Sequence, residues 1–188
     1  SISDRDCTDG KYVDSRILKA SHAFGLLRNC LFSSTEVLKE VKGKVYRSLI
    51  LPILLYGAEC WSLTEGMLKK IRNFHHRCIH TMCRVNLAHT RLHGLQLLER
   101  LSLKSVDTYV YQQQLRWAGH VARMPWNRLP RKMLSSWVPV KRPRCCPKMT
   151  YGRSLKKAMM KANIDYESWS EIAADCDAWR DRIHTITI

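Results

Sequence analysis

Residues 64–83 read TEGMLKKIRNFHHRCIHTMC, and the fold class follows from this stretch. Thr64 is a residue type whose hydroxyl accepts a hydrogen bond from an unpaired N–H in the first turn of a helix, so it is the predicted N-cap. Leu63 and Leu68 have the spacing of a hydrophobic staple across that start. Leu68, Ile71, His75, Cys78 and Met82 then recur at three- and four-residue steps, which places them on one face of a long helix.

The same period extends on both sides. Upstream, Ile17, Ala20, Phe24, Leu27 and Leu31 form a stripe, with Asp14 as the predicted cap. A second helix is predicted to open at Ser33, where Glu36 supplies the capping-box spacing. Its stripe runs Val37, Val41, Val45, Leu49, and Pro52 should kink or end it. Downstream, Ser105 is the predicted cap of a helix carrying Val106, Val110, Gln113, Trp117 and Val121 and ending near Pro125. Residues 139–148 (PVKRPRCCPK) hold three prolines and four basic residues, which no regular helix accommodates, and read as an extended linker. Helices are expected again over 151–162 and 165–174, with Asp177 capping a last turn that presents Trp179 and Ile183. The expected fold class is all-α, a helical bundle followed by a basic linker and a small helical C-terminal unit.

Composition narrows the function. The chain has 188 residues, 45% of them hydrophobic, which favours a folded protein over a disordered tail. The longest apolar stretch, 49–58, is half of the ~20 residues a bilayer span needs, so no membrane partner is expected. With no targeting signal, the eight cysteines are read as reduced thiols. Net charge is +16 and is concentrated: residues 65–148 hold seventeen basic residues against Glu65, Glu99 and Asp107. A confined positive block is the electrostatic footprint of a polyanion, with nucleic acid favoured.

Three islands carry a family resemblance. LPILLYGAECW at 51–61 resembles the LPxLLYGxExW motif that follows the polymerase palm in LINE-type (non-LTR) retrotransposon reverse transcriptases. LRWAGHVARMP at 115–125 is similar to that family's LRWxGHVxRM. KRPR at 141–144, followed by Trp169 and by DAWR at 177–180, is similar to its basic linker and closing segment, and DSRI at 14–17 with Ala20 to the start of its thumb. The chain departs from the pattern at Cys145 and Cys146, where the family has Gly-Arg, at 150–153, and at Cys176, a common Arg position.

The resemblance implies a leader from the palm at 1–13, a thumb-like unit at 14–84 and a post-thumb region at 85–138. A basic linker at 139–150 and a C-terminal unit at 151–188 would follow. It implies a segment of a longer RNA-directed DNA polymerase that grips primer–template or element RNA. Partners would be RNA, DNA and the palm and fingers, within a nuclear and cytoplasmic ribonucleoprotein. Two other readings are a relic of a truncated element and a zinc-stabilised interaction module.

Nucleotidyl transfer needs clustered carboxylates holding two cations ~4 Å apart. The sequence has no Asp-Asp pair, so no polymerase chemistry and no cofactor are expected on this segment; magnesium would belong to the palm. Cys78 beside His75 suggests a thiol nucleophile only if the two meet in space. His76, His80 and Cys83 at i, i+4 and i+7 are zinc candidates, with the alternative that the histidines face phosphate or solvent. The predicted nucleic-acid-binding residues are Arg116, His120, Arg123, Arg128, Arg131, Lys132, Lys141, Arg142, Arg144 and Lys148. Trp117 reads as core, whereas Trp126 and Trp137 could equally pack or stack on a base. His120 could contact phosphate or make a structural hydrogen bond.

Overall fold

The structure, a computed structural model, describes residues 10–85, 94–135 and 150–186. Among the described residues every regular element is helical and none is a strand, as the apolar periodicity dictates. The chain forms two compact units. The first comprises the described residues up to Gly57 together with Thr64–Asp107, the second Ala58–Leu63 together with the described residues from Thr108 on.

In the first unit, α1 (Gly10–Leu27) runs into a π-helical turn at Arg28–Phe32. Asp14 does not cap it; it lies inside α1, and its carboxylate accepts from Lys70 Nζ at 2.7 Å. The wider π turn also delays the stripe by one residue, so Phe32 rather than Leu31 is buried. Phe32 stacks on Phe24 with ring centroids 4.4 Å apart, and Tyr46 meets both rings edge-on.

The second predicted helix starts later and turns a different face inward. Residues 33–38 are irregular, with Glu36 N bonded to Ser34 Oγ, and α2 spans Lys39–Val45. Val41 and Leu49 are exposed, and the buried positions are Lys42, Gly43, Tyr46 and Ile50, one residue (about 100°) further round. Gly43 decides this rotation, because the backbone of Leu101 lies where any side chain at 43 would stand. Lys42 is fully buried, and its ammonium donates to the carbonyls of Ser34 (2.6 Å) and Met82 (3.4 Å). Burial, and then the nearby Arg84, push its pKa down.

Pro52 does not end the segment. A π-helical turn, Tyr46–Ile50, precedes it, and Pro52 falls in the first turn of α3 (Leu51–Leu54), where its missing N–H is tolerated. After α3, Gly57 takes φ 81°, a left-handed conformation suited to glycine. The Arg16 guanidinium lies 4.3 Å from the Tyr56 ring centroid and 4.8 Å from that of Tyr12, a clamp joining α1 to the 51–61 island.

Helix α4 (Glu65–Cys83) matches its prediction closely. Thr64 Oγ1 accepts from Met67 N at 3.4 Å, and Leu68, Ile71, His75, Cys78 and Met82 are all buried. The Tyr46 hydroxyl and His75 Nδ1 lie 2.9 Å apart inside this core. Helix α5 (Gly94–Arg100), which periodicity did not predict, completes the unit.

Helix α6 (Val106–Ala122) begins directly after Ser105, and from Thr108 on it is part of the second unit. So much of its circumference is covered that Gln112 and Gln114 are buried, while Gln113, predicted on the inner stripe, is half-buried. Buried amides need partners. Gln112 Nε2 donates to the Ile183 carbonyl at 3.1 Å, and Gln114 Nε2 to Trp61 O at 3.0 Å and Ser154 Oγ at 3.2 Å. Trp117 is half-buried rather than core.

Helices α7 (Leu129–Ser135), α8 (Tyr151–Lys161), α9 (Trp169–Ile172) and α10 (Cys176–His184) follow. The helix predicted over 165–174 is thus a single turn. Asp175, not Asp177, caps α10, accepting from the backbone N–H groups of Asp177 and Ala178, because the helix starts at Cys176. The Trp179 indole lies against Gly119, where a Cβ would overlap it, and donates from Nε1 to Leu115 O at 3.0 Å. Two of the three sequence islands are therefore one packing contact.

Candidate nucleic-acid interface

Charge accounting inside the basic block is lopsided. Of its three carboxylates, both Glu65 and Asp107 are taken by the single guanidinium of Arg72, at 2.6 and 2.8 Å. Those hydrogen bonds, first the one donated to Asp107, raise the pKa of Arg72 well above the ordinary arginine range. Only Glu99 is left to offset the block's other sixteen cations from within the block.

In the second unit, Arg116 and His120 stand on the exposed face of α6, and Arg123, also exposed, follows in the turn just past its end. Arg116 and Arg123 line a hollow with Arg180, His184 and Cys176. Arg123 spends one N–H on the Ala173 carbonyl at 2.7 Å, and Arg180 pairs with Asp177 at 2.7 Å. His120 lies beside Trp117, ring centroids 5.8 Å apart. Arg131 and Lys132 belong to α7, with Arg128 just before it. Arg128 and Lys132 are exposed, and Arg131 is half-buried with its guanidinium 4.9 Å from the Trp126 ring centroid. Lys141, Arg142, Arg144, Lys148, Trp137, Cys145 and Cys146 lie outside the described residues.

The first unit holds cations that periodicity reading passed over. A groove between α1 and α4 is lined by Arg28, Arg77, Arg84, His80 and the hydroxyl residues Ser21, Ser33 and Thr81, with no carboxylate in its wall. Arg77, His80 and Arg84 follow at three- and four-residue steps opposite the apolar stripe, a pattern open to reading from the sequence. Arg84 ends α4 at φ 54°, with Val85 N bonded to His80 O at 3.2 Å. That left-handed cap favours glycine, and a side chain there costs about 1–2 kcal/mol. Arg84→Gly is therefore expected to raise stability by about 1 kcal/mol while weakening polyanion binding. Urea midpoints and a filter-binding titration read the two effects separately; a lowered midpoint would contradict the cap.

The zinc candidates do not converge. Cys83 is buried with Sγ 4.0 Å from Leu97 O, whereas His76 is exposed. The helical face shared on paper is divided by the core, and no group of three metal-binding side chains occurs among the described residues. Burial pushes the Cys78 thiol up to about 12 and the His75 imidazole down to about 4, so Cys78 carries no thiolate at neutral pH. No described helix is long and apolar enough to cross a membrane.

These features define a strongly basic, all-α protein in which Lys and Arg outnumber Asp and Glu by 32 to 16. The chain is similar to a Caenorhabditis elegans protein named as an uncharacterized transposon-derived protein, with 27% identity over 165 residues, covering 84% of this chain and 58% of that protein. The chain thus spans under two thirds of that relative's length. This similarity points to a transposable-element origin. No family model matches the chain, and no solved structure matches it.

Proposed function

We propose that this chain is a nucleic-acid-gripping segment of a LINE-type reverse transcriptase, thumb-like in its first part, and that synthesis belongs to a palm elsewhere in the protein. The observation that carries the proposal is the capture of two of the basic block's three carboxylates by Arg72, which leaves Glu99 as the block's one other carboxylate against a large excess of positive charge. Such charge binds the phosphate backbone without reading sequence. The three sequence islands support the particular element class, and the transposon-derived relative supports a transposable-element origin.

Binding to an RNA–DNA duplex is expected to be independent of base sequence and to weaken steeply as salt rises, through counterion release. Each lost phosphate contact lowers the slope of log K against log salt by about 0.9. The triple variant Arg116→Ala, Arg128→Ala, Lys132→Ala is expected to reduce that slope by up to about 3 without unfolding, because none of the three is buried. Fluorescence anisotropy between low and moderate salt measures it. Undetectable or salt-insensitive binding would overturn the proposal.

A further inference from the structure

We propose that Trp126 is a stacking platform for an unpaired nucleobase, so that the second unit engages single-stranded rather than only duplex nucleic acid. The inference rests on the nucleic-acid reading above and adds to it the kind of strand. Two other tryptophans of this unit are used for packing: Trp61 and Trp179 are 3% and 2% exposed. Trp126 is 65% exposed, and α7 behind it buries no residue, so packing does not account for the indole. The ring is nonetheless held. It follows Pro125 in a turn closed by the bond from Arg128 N to Pro125 O at 3.0 Å. The Arg131 guanidinium lies against it, 4.9 Å from the ring centroid.

An exposed indole backed by a planar cation is the arrangement on which a base stacks without preference for its identity. Arg128 and Lys132, both exposed on either side of Arg131 in sequence, supply the phosphate contacts such a strand needs. A base held in duplex stacks on its neighbours and is not free to lie on the ring, so the platform selects unpaired strand.

The test uses the whole 188-residue chain and two probes, an oligo-dT strand and an abasic strand of equal length and charge. The unmodified protein is expected to bind oligo-dT about five- to a hundredfold more tightly, the range one stacked base covers. Trp126→Ala is expected to abolish that preference and leave the affinity for the abasic strand unchanged, while Trp126→Phe retains part of it. Equal binding of both strands by the unmodified protein, or a preference that survives Trp126→Ala, overturns the stacking platform alone. Failure to bind either strand at low salt overturns the nucleic-acid reading, and this inference with it.

Discussion

Gly119→Ala is expected to destabilise the second unit by about 2–3 kcal/mol, although alanine is the better helix former by about 0.5–1 kcal/mol. The added methyl would stand inside the Trp179 indole, which is 2% exposed and bonded through Nε1 to Leu115 O. The ring can retreat only by giving up that buried hydrogen bond, itself worth about 1–3 kcal/mol when its donor is left unpaired. Trp179→Ala is expected to cost about 3–5 kcal/mol by leaving a cavity in the same place. Because the two side chains share one space, Gly119→Ala combined with Trp179→Leu should cost less than the sum of the single changes. All six tryptophans fall in the sequence of the second unit, so intrinsic fluorescence during urea unfolding follows this unit selectively. A rise in stability for Gly119→Ala, as helix propensity alone requires, would refute the contact.

The second large effect is an acid sensitivity of the first unit. His75 is 1% exposed, and burial holds its pKa down at about 4, against the ordinary 6.5. The folded state thus disfavours the proton that the unfolded chain accepts. Stability is fully present above pH 6.5 and falls as pH drops toward 4, by at most about 3 kcal/mol at roughly 1.4 kcal/mol per pH unit. Asp107, whose charge counteracts the shift, and His76, whose charge reinforces it, are the other titrating groups acting on the ring. His75→Gln keeps a hydrogen-bonding partner for the Tyr46 hydroxyl but does not titrate. Its stability should be lower at pH 7 and much flatter between pH 6.5 and 4, as followed by helical circular dichroism. An unchanged pH slope in this variant would show that His75 is not the sensor.

How much of this was legible beforehand varies by element. Helix α4 was read almost completely, because its cap and stripe are local signals and the packing agrees with them. The residues of α2 were read with the wrong face inward. Val41, Val45 and Leu49 are the apolar choice, yet the close approach of Leu101 at Gly43 and the fit of Tyr46 among Phe24, Phe32 and His75 outweigh it. A buried lysine at 42 runs against any hydrophobicity rule, and only the carbonyls of Ser34 and Met82 account for it. Helix α7 was not predicted: it is seven residues long and buries none of them, so it carries no apolar stripe, and Pro130 is tolerated in its first turn.

The candidate site was legible in part. Arg116 and His120 share an exposed helical face, which spacing alone gives, with Arg123 exposed just past the helix end. The groove of Arg28, Arg77 and Arg84 was not, since it joins two helices about fifty residues apart in sequence. The zinc triad failed for a related reason: helical spacing places side chains on a face but does not say which of them the core will take.

From the sequence by itself came the all-α class, the start and inner face of α4, and the confinement of positive charge. Each depends on neighbouring residues along one chain segment, through helix period, capping chemistry or simple charge balance. The tertiary structure alone decided that Gly119 exists to receive Trp179, that α2 turns Lys42 inward, and that Arg72 takes two carboxylates. These depend on pairs of groups remote in sequence, whose energies exist only once the helices are packed.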